Sequence, residues 1–259
     1  MATFLFHQTV YGPIHSRRLG SSLGVNLLPE NNKWCNYNCI YCECGWNPSG
    51  KGLQRSLPSR EQISRELEDA LKKLSQEGKC PDVITFAGNG EPTMHPQFAE
   101  IIEDTMALRD RYCTKTKVSV LTNATGLHRP EIVEALKRVD QNILKLDSGI
   151  AETLHRINQP QKSISPKALS EQFKIFGGAE IIQTMFLRGD AGNGYIDNTT
   201  PEELDAWESL VADVRPSMVM IYTLDRDTPA ENLEKISPET MEHIADRIRK
   251  YGIPVQVSA

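Results

Sequence analysis

Apolar residues along the chain follow two spacings that alternate from the first third of the sequence to its end. Short runs of aliphatic and β-branched residues predict strands. They cover residues 22–29, 82–87, 117–122, 142–147, 180–187 and 217–224, and residues 254–258 predict a last strand. Between these runs, apolar residues recur three or four positions apart, which is the spacing of one buried helix face. The chain is therefore predicted to alternate between strands and helices.

The first predicted helix has clear start and stop signals. Ser59 and Gln62 form a capping box, in which the serine side chain accepts a hydrogen bond from the first turn. Ile63 and Leu67 then begin the helical spacing, and Gly78 is a typical C-terminal stop. Later helices are predicted around residues 98–106, 132–139, 169–176, 204–211 and 241–248.

Six strand–helix units followed by a terminal strand predict an α/β fold with a parallel sheet and right-handed crossovers. A closed barrel of eight units would fit the length, but the pattern supplies only six. We find no second domain, so residues 1–259 are predicted to form one domain. It would have a short N-terminal extension at residues 1–21 and a cysteine-containing loop at about residues 30–52.

The composition of the 259 residues, with 39% hydrophobic and 24% charged side chains, is typical of a soluble enzyme. No apolar run approaches the roughly 20 residues that span a bilayer, and the N-terminus does not resemble a signal peptide. We therefore expect a cytoplasmic protein without a membrane partner, and we expect its six cysteines to be reduced thiols. The net charge of −5 disfavours a nucleic-acid partner.

Three cysteines stand close together in the predicted loop, with the spacing Cys35-x3-Cys39-x2-Cys42. Thiolates are soft ligands that favour zinc, copper(I) or iron–sulfur clusters. A structural zinc site takes four ligands, usually as two pairs, and no second Cys-x2-Cys pair is present in the sequence. Three ligands on a four-iron cluster would leave one iron open for a further ligand.

With Tyr41 as the aromatic residue before the last cysteine, this motif resembles the signature of the radical S-adenosylmethionine (radical SAM) enzymes. The stretch 86–92, which contains Gly88-Asn89-Gly90-Glu91, resembles the glycine motif of the same family. Residues 12–20 and 90–96 are similar to the branch of iron–sulfur oxidoreductases related to wyosine-base synthases. The resemblance implies a partial (β/α)6 barrel of the radical SAM type, open on one side.

The resemblance also implies the cofactors. Cys35, Cys39 and Cys42 would hold a 4Fe-4S cluster, and S-adenosylmethionine would bind the open iron. An electron from an external reductant of the flavodoxin or ferredoxin type would cleave it to a 5′-deoxyadenosyl radical, which abstracts hydrogen from the substrate. Gly88 and Gly90 would admit the methionine end of the cofactor because they lack a Cβ.

Polar residues near the carboxyl ends of predicted strands complete the candidate cofactor site, because chemistry in α/β folds collects there. The candidates are Tyr41, Gly88, Asn89, Gly90, Glu91, Asn123, Lys145, Asp147 and Tyr222. Glu91 would lie near the methionine ammonium. Lys145 and Asp147 are two residues apart and point the same way, so they either bind two parts of the cofactor or form an internal salt bridge. Asn123 either binds the ribose or is a turn residue.

Four residues are candidates for the substrate, namely Arg17, His95, Arg188 and Arg226. Because the guanidinium binds carboxylates and phosphates well, the arginines predict an anionic small molecule or peptide. The alternatives are arginines paired with neighbouring acids and a histidine at a helix entry. Cys80 and Cys113 are expected to be small buried residues, whereas Cys44 lies close to the cysteine motif with no assigned role.

Three other functions are compatible with parts of the sequence. One is activation of a glycyl-radical enzyme. Another is tRNA base modification, which the negative charge disfavours, as does the absence of a cysteine before Cys35 for the second cluster of the wyosine enzymes. The third is a zinc-binding interaction module that uses Cys44 as a fourth ligand, and it leaves the glycine motif at Gly88–Glu91 unexplained.

Overall fold

A computed structural model describes residues 4–49, 56–192 and 194–259. Residues 1–3 of the predicted N-terminal extension and residues 50–52 of the predicted cysteine loop lie outside the described residues. The chain forms two compact units, the first from Leu5–Cys35 and Asn47–Asn142, the second from Met1–Phe4, Asn36–Trp46 and Ile143–Ala259. Both units contain separate segments of the chain, and the prediction of one domain over residues 1–259 stays a prediction.

The first unit combines a hairpin with parallel strands and helices. Its elements are β1 (Val10–Ser16), β2 (Gly20–Val25), α1 (Arg60–Gln76), β3 (Val83–Phe86), a 3-10 turn (Pro92–Met94), α2 (Phe98–Tyr112), β4 (Lys117–Thr122), α3 (Pro130–Arg138) and the first two residues of β5 (Gln141–Lys145). Strand β1 pairs antiparallel with β2, whereas β2, β3 and β4 pair in parallel. The pattern did not predict β1, because most of its residues are exposed and carry no apolar alternation.

Helix α1 follows its sequence signals. Ser59 accepts a hydrogen bond from the Gln62 N–H at 3.2 Å, which confirms the predicted cap. Gly78 has a φ of 66°, a left-handed conformation that suits the residue just after a helix. Phe86 of β3 and Phe98 of α2 meet edge to face at 6.4 Å, which places the core of this unit between strands and helices.

The second unit repeats the parallel arrangement and adds a small sheet. Its elements are the rest of β5, α4 (Ala151–Asn158), α5 (Pro166–Phe173), a 3-10 turn (Lys174–Phe176), β6 (Ile181–Met185), β7 (Arg188–Asp190), β8 (Tyr195–Asp197), α6 (Pro201–Val214), β9 (Met218–Tyr222), β10 (Leu233–Glu234), α7 (Pro238–Arg249) and β11 (Val255–Ser258). Strands β5, β6, β9 and β11 pair in parallel. Strands β10, β7 and β8 form a separate antiparallel sheet, whose two or three residues per strand are too short to give a sequence pattern.

The core of the second unit lies between β6 and α6. Trp207 donates from its indole nitrogen to the Thr184 hydroxyl at 3.0 Å, and its ring meets Phe186 edge to face at 5.2 Å. Thr200 and Ser237 cap α6 and α7 through their side chains. The buried Trp207 therefore contributes packing as well as a satisfied indole N–H.

In chain order, the six parallel strands β2, β3, β4, β5, β6 and β9 are each followed by a helix, and β11 ends the series. This confirms the predicted strand–helix alternation and the parallel pairing. Helix α4 was not predicted and precedes the expected helix α5. Within the described residues, no helix is long and apolar enough to cross a membrane.

Candidate functional site

The glycine motif after β3 in the first unit approaches other parts of the same unit. Gly90 has a φ of 145°, and a Cβ on it would lie 1.9 Å from the carbonyl oxygen of Trp34. Trp34 donates its N–H to the carbonyl of Asn89 at 2.8 Å. Gly88 has a φ of 153°, and a Cβ there would lie 2.5 Å from the Asn26 side chain. These close contacts within the protein already explain why glycine stands at both positions. Their contact with the methionine end of S-adenosylmethionine stays a prediction.

Asn89 is fully buried and binds the N-terminal segment to the glycine motif. Its amide nitrogen donates to the carbonyls of Phe6 at 2.9 Å and Pro29 at 2.8 Å. Its side-chain oxygen accepts the Phe6 N–H at 2.9 Å. These partners bind both polar atoms of the side chain, so Asn89 has a structural role, and its contact with the cofactor stays a prediction.

Glu91 is a buried carboxylate that joins the glycine motif to the end of β4. One oxygen accepts hydrogen bonds from the Thr93 N–H, the Thr93 hydroxyl and the Thr122 hydroxyl at 3.1, 2.7 and 2.6 Å. The other oxygen accepts the Asn123 N–H at 2.7 Å. Burial raises the pKa of Glu91, while these hydrogen bonds act in the opposite direction. With four donors bound and 3% exposure, the Glu91 carboxylate is held by groups of the protein itself, and its contact with a methionine ammonium stays a prediction.

Asn123, at the carboxyl end of β4, contacts the first cysteine of the motif. Its amide nitrogen lies 3.8 Å from the sulfur of Cys35 and donates to it. Its oxygen accepts from the N–H and hydroxyl of Thr125 at 3.1 and 2.7 Å, and the next residue, Ala124, has a φ of 64°. Asn123 is therefore a turn residue, the alternative to ribose binding, and it also donates to a cysteine.

The second unit contains the remaining two cysteines of the motif. The Ile40 N–H donates to the carbonyl of Ile157 at 2.9 Å, and the Ile40 carbonyl accepts the Ala230 N–H at 3.1 Å. The Cys42 N–H donates to the carbonyl of Cys39 at 3.1 Å, which closes a turn between the two cysteines. Main-chain bonds to two distant segments thus fix this part of the cysteine loop.

Asp147 is the centre of a buried polar network in this unit. Its carboxylate accepts hydrogen bonds from the Tyr41 hydroxyl, from the Asn158 amide at 2.6 Å and from the Met185 N–H at 2.9 Å. The Lys145 ammonium lies 3.4 Å away and also donates to the Tyr41 hydroxyl. Lys145 and Asp147 therefore form the internal salt bridge. Asp147 is 0% exposed, and ribose binding by this residue stays a prediction.

The electrostatics of this network hold the lysine in its charged form. Burial is the largest single effect and would lower the pKa of Lys145, but the charges of Asp147, Tyr222, Cys39 and Cys42 together outweigh it, so that the pKa of Lys145 is raised. Burial, followed by the charge of Asp147, raises the pKa of the Tyr41 phenol well above its usual value. Tyr222 lies half-buried at the end of β9, and Lys145 keeps 19% of its side chain exposed. Lys145 and Tyr222 thus remain accessible candidates.

Two of the predicted substrate residues, Arg188 and Arg226, form ion pairs with glutamates. Arg188 binds Glu234 at 2.9 Å, and Arg226 binds Glu43 at 2.6 Å, so both arginines pair with acids, which lie far from them in the sequence. All four side chains are substantially exposed. Each pair therefore contributes little stability, and a competing anion would have to displace a glutamate.

His95 and Arg17 both lie in the first unit, and their contact with a substrate stays a prediction. His95 is buried, with its ring nitrogens bonded to the carbonyl of Pro58 at 3.0 Å and the N–H of Gln97 at 3.1 Å. This is the alternative of a helix-entry histidine. Arg17 lies in the turn between β1 and β2, at the amino end of β2, whereas Gly88 follows the carboxyl end of the parallel neighbour β3. Arg17 and Gly88 thus lie at opposite ends of these parallel strands.

The six cysteines divide into two groups. Cys80 and Cys113 form a disulfide, so the prediction that all six are reduced thiols is wrong for this pair. The end of α2 brings Cys113 beside the segment before β3, with a Cα–Cα distance of 5.7 Å. Cys80 is exposed, which also differs from the expected buried residue.

The other four cysteines, Cys35, Cys39, Cys42 and Cys44, are thiols outside any disulfide of the described chain. Thiols of this kind are the ligands that iron–sulfur clusters require, so the donor chemistry of the motif fits a cluster. In the parts of the chain that the structure describes, no group of three or more histidine, cysteine or acidic side chains is already arranged around a metal position.

One residue of the site escaped sequence analysis. Asn158, at the end of the unpredicted helix α4, donates from its amide to the sulfur of Cys39 at 3.3 Å and to Asp147. A lone asparagine 119 positions beyond Cys39 gives no sequence signal of this contact.

Comparison with known families identifies the chain. A family model described as "Radical SAM superfamily" matches residues 32–166, which include the three cysteines and the glycine motif. The match covers more than half of the 259 residues, so the chain belongs to the radical SAM superfamily. The protein is an enzyme of that superfamily, and membership implies S-adenosylmethionine and an iron–sulfur cluster as cofactors.

Curated relatives agree over most of the chain without defining a reaction. A protein named GTPase Obg from Brachyspira hyodysenteriae is 32% identical over 237 residues, which are 90% of this chain and 32% of that protein. A UPF0026 protein from Synechocystis sp. is 29% identical over 273 residues and 95% of each chain. This chain thus spans about a third of the first relative and nearly all of the second.

Solved structures show the same fold. A radical SAM methyltransferase from Sphaerobacter thermophilus matches with a TM-score of 0.65 at 15% identity, over 92% of this chain and 65% of that one. TYW1 with a lysine-pyruvate adduct bound matches with a TM-score of 0.60 at 13% identity, over 88% and 73%. These matches confirm the predicted fold class, an α/β partial barrel of the radical SAM type.

Proposed function

We propose that Cys35, Cys39 and Cys42 hold a 4Fe-4S cluster whose open iron binds S-adenosylmethionine. The observation that carries the proposal is the set of three reduced thiols in Cys-x3-Cys-x2-Cys spacing, inside the segment that the radical SAM family model matches. When bound, the two cofactors supply one-electron cleavage to a 5′-deoxyadenosyl radical, which abstracts hydrogen from the substrate. The electron comes from an external reductant of the flavodoxin or ferredoxin type.

Residues of the protein fix the three cysteines and offer candidate contacts for S-adenosylmethionine. Main-chain bonds fix Cys39 and Cys42 in a turn, and Asn123 donates to Cys35. Lys145 carries a positive charge with part of its side chain exposed, so it is our candidate for the carboxylate of the methionine moiety. Tyr222, half-buried at the carboxyl end of β9, is a second candidate contact for the cofactor.

We propose an anionic small molecule or peptide as the substrate. Arg188 and Arg226 support this choice as exposed cations, each held by one glutamate that an anion would replace. The net charge of −5 opposes binding to the phosphates of a large RNA. A titration with bulk tRNA separates the two classes of substrate, since tight binding that weakens steeply with salt would contradict our choice.

Iron analysis after anaerobic reconstitution tests the cluster. The wild-type protein is expected to bind about four irons and four sulfides per chain. Cys39→Ala is expected to lose them. Normal iron binding by Cys39→Ala would contradict the proposal.

Two matched controls sharpen the result. Cys80→Ser removes a cysteine that lies in the disulfide, so its iron content is expected to equal that of the wild type. Cys44→Ala distinguishes the zinc module, which needs Cys44 as its fourth ligand, from a cluster held by three cysteines. Loss of metal in Cys44→Ala together with a colourless, zinc-containing wild type would favour the zinc module.

A further inference from the structure

The Asn158 amide is buried beside a predicted cluster ligand. It is the last residue of α4, and its side chain is 0% exposed. The amide nitrogen donates to the sulfur of Cys39 at 3.3 Å and to the carboxylate of Asp147 at 2.6 Å. The carbonyl of the Asn158 main chain accepts the Asn38 N–H at 2.9 Å, so this residue is also tied to the segment before Cys39.

Stability alone does not explain an asparagine at this position. The side-chain oxygen of Asn158 is buried and has no hydrogen-bond partner among the described residues. A buried acceptor that loses water and gains no donor destabilises the folded state, whereas an apolar side chain of similar size would avoid that loss. Asp147 already binds three other donors, from Tyr41, Lys145 and Met185. The contact that remains to be explained is the one to the Cys39 sulfur.

We propose that Asn158 is a positioning residue that sets the reduction potential of the cluster through its N–H···S hydrogen bond to Cys39. The inference rests on the proposed function, because it assumes that Cys39 binds the cluster. A reduced cluster carries one more negative charge than an oxidised one, and part of that charge lies on the cysteine sulfurs. A donor to the sulfur therefore stabilises the reduced form and makes the potential less negative.

The geometry assigns this role to Asn158 more strongly than to Asn123. The distance from the amide nitrogen to sulfur is 3.3 Å for Asn158 and Cys39, and 3.8 Å for Asn123 and Cys35. Cys39 is buried, whereas Cys35 is half-buried and therefore nearer to water, which screens such an interaction. The second N–H of Asn158 binds Asp147, which fixes the orientation of the amide towards the sulfur.

The inference is tested by an anaerobic redox titration in which electron paramagnetic resonance measures the amount of reduced cluster. Asn158→Leu and the smaller Asn158→Ala both remove the donor. The expected result is the iron content of the wild type with a more negative potential. At a fixed potential, the ratio of reduced to oxidised cluster should fall about tenfold, which corresponds to about 59 mV for one electron. Asn142→Leu is the matched control, since Asn142 is also buried and its amide has no partner in the described chain.

The outcomes separate this inference from the proposed function. A wild type without a four-iron cluster would refute the proposed function. A wild type and an Asn158→Leu protein with equal iron content and equal potential would overturn only the role of Asn158. If both variants fail to fold, an Asn123→Ala protein labelled with 15N in its asparagine side chains decides the question, since the Asn123 amide also donates to a cysteine. A weak hyperfine coupling between the reduced cluster and a side-chain amide nitrogen is then expected, and its absence would overturn the inference.

Discussion

Replacing Glu91 is the most informative test of how the glycine motif is built. In Glu91→Ala, the N–H groups of Thr93 and Asn123 lose their acceptor in a buried site. Each buried donor left without a partner costs about 1–3 kcal/mol, so the two together cost about 2–6 kcal/mol. The hydroxyls of Thr93 and Thr122 also lose a partner, but both can rotate, and Thr122 still accepts the Ala124 N–H at 3.0 Å. Against a total stability of about 5–15 kcal/mol, the loss is large.

Glu91→Gln divides this effect into parts. Glutamine keeps one acceptor oxygen, and we expect this oxygen to take the place of the Glu91 oxygen that accepts three hydrogen bonds. The NH2 group of the glutamine then faces the Asn123 N–H, which loses its acceptor. One hydrogen bond is lost, at a cost of about 1–3 kcal/mol. Glu100→Ala, at an exposed position of α2, is the matched control and is expected to change stability by less than about 0.5 kcal/mol.

Stability is measured by urea unfolding with circular dichroism as the readout. The affinity for S-adenosylmethionine is measured by calorimetric titration. We expect the midpoint of unfolding to fall in the order Glu100→Ala, Glu91→Gln, Glu91→Ala. Glu91→Gln, while folded, should bind S-adenosylmethionine with nearly the affinity of the wild type. A wild-type midpoint for Glu91→Ala, or an affinity lost in Glu91→Gln without loss of stability, would refute a structural role for the carboxylate and favour direct contact with the cofactor.

Two further predictions concern stability. The disulfide of Cys80 and Cys113 closes a loop of 33 residues, so reduction should lower the free energy of unfolding by about 3–4 kcal/mol in the chain-entropy model, and Cys80→Ser should be insensitive to reductant. Glu208 is buried, which alone would raise its pKa, but its contacts with Lys250, Tyr251 and Arg247 lower it overall. The stabilisation by Glu208 is therefore present above about pH 4.3 and is lost as the pH falls through the lowered pKa. Denaturation at pH 7 and pH 3 should show a smaller acid loss for Glu208→Gln than for the wild type, and equal losses would contradict this assignment.

The sequence alone determined the order and type of most elements. Burial of one helix face or of a whole strand repeats with a fixed local period, so residues such as Ile63, Leu67 and Leu71 report it directly. The caps at Ser59, Thr200 and Ser237 are equally local, since each serine or threonine binds a main-chain N–H three residues later. The spacing of the three cysteines and the glycine motif likewise identified the superfamily before any geometry was known.

Only the tertiary structure decided what the polar residues of the motifs bind. Glu91 meets the Thr122 hydroxyl 31 positions away, Tyr41 meets Asp147 at a separation of 106, and Asn158 reaches Cys39 across 119. No periodicity links such partners, because their distance is set by the packing of strands and helices that lie far apart in the chain. For the same reason the pairing of Cys80 with Cys113 and the short antiparallel sheet had no sequence signal. A carboxylate or amide in a motif can serve either the fold or a ligand, and the number of protein donors and acceptors around it decides which.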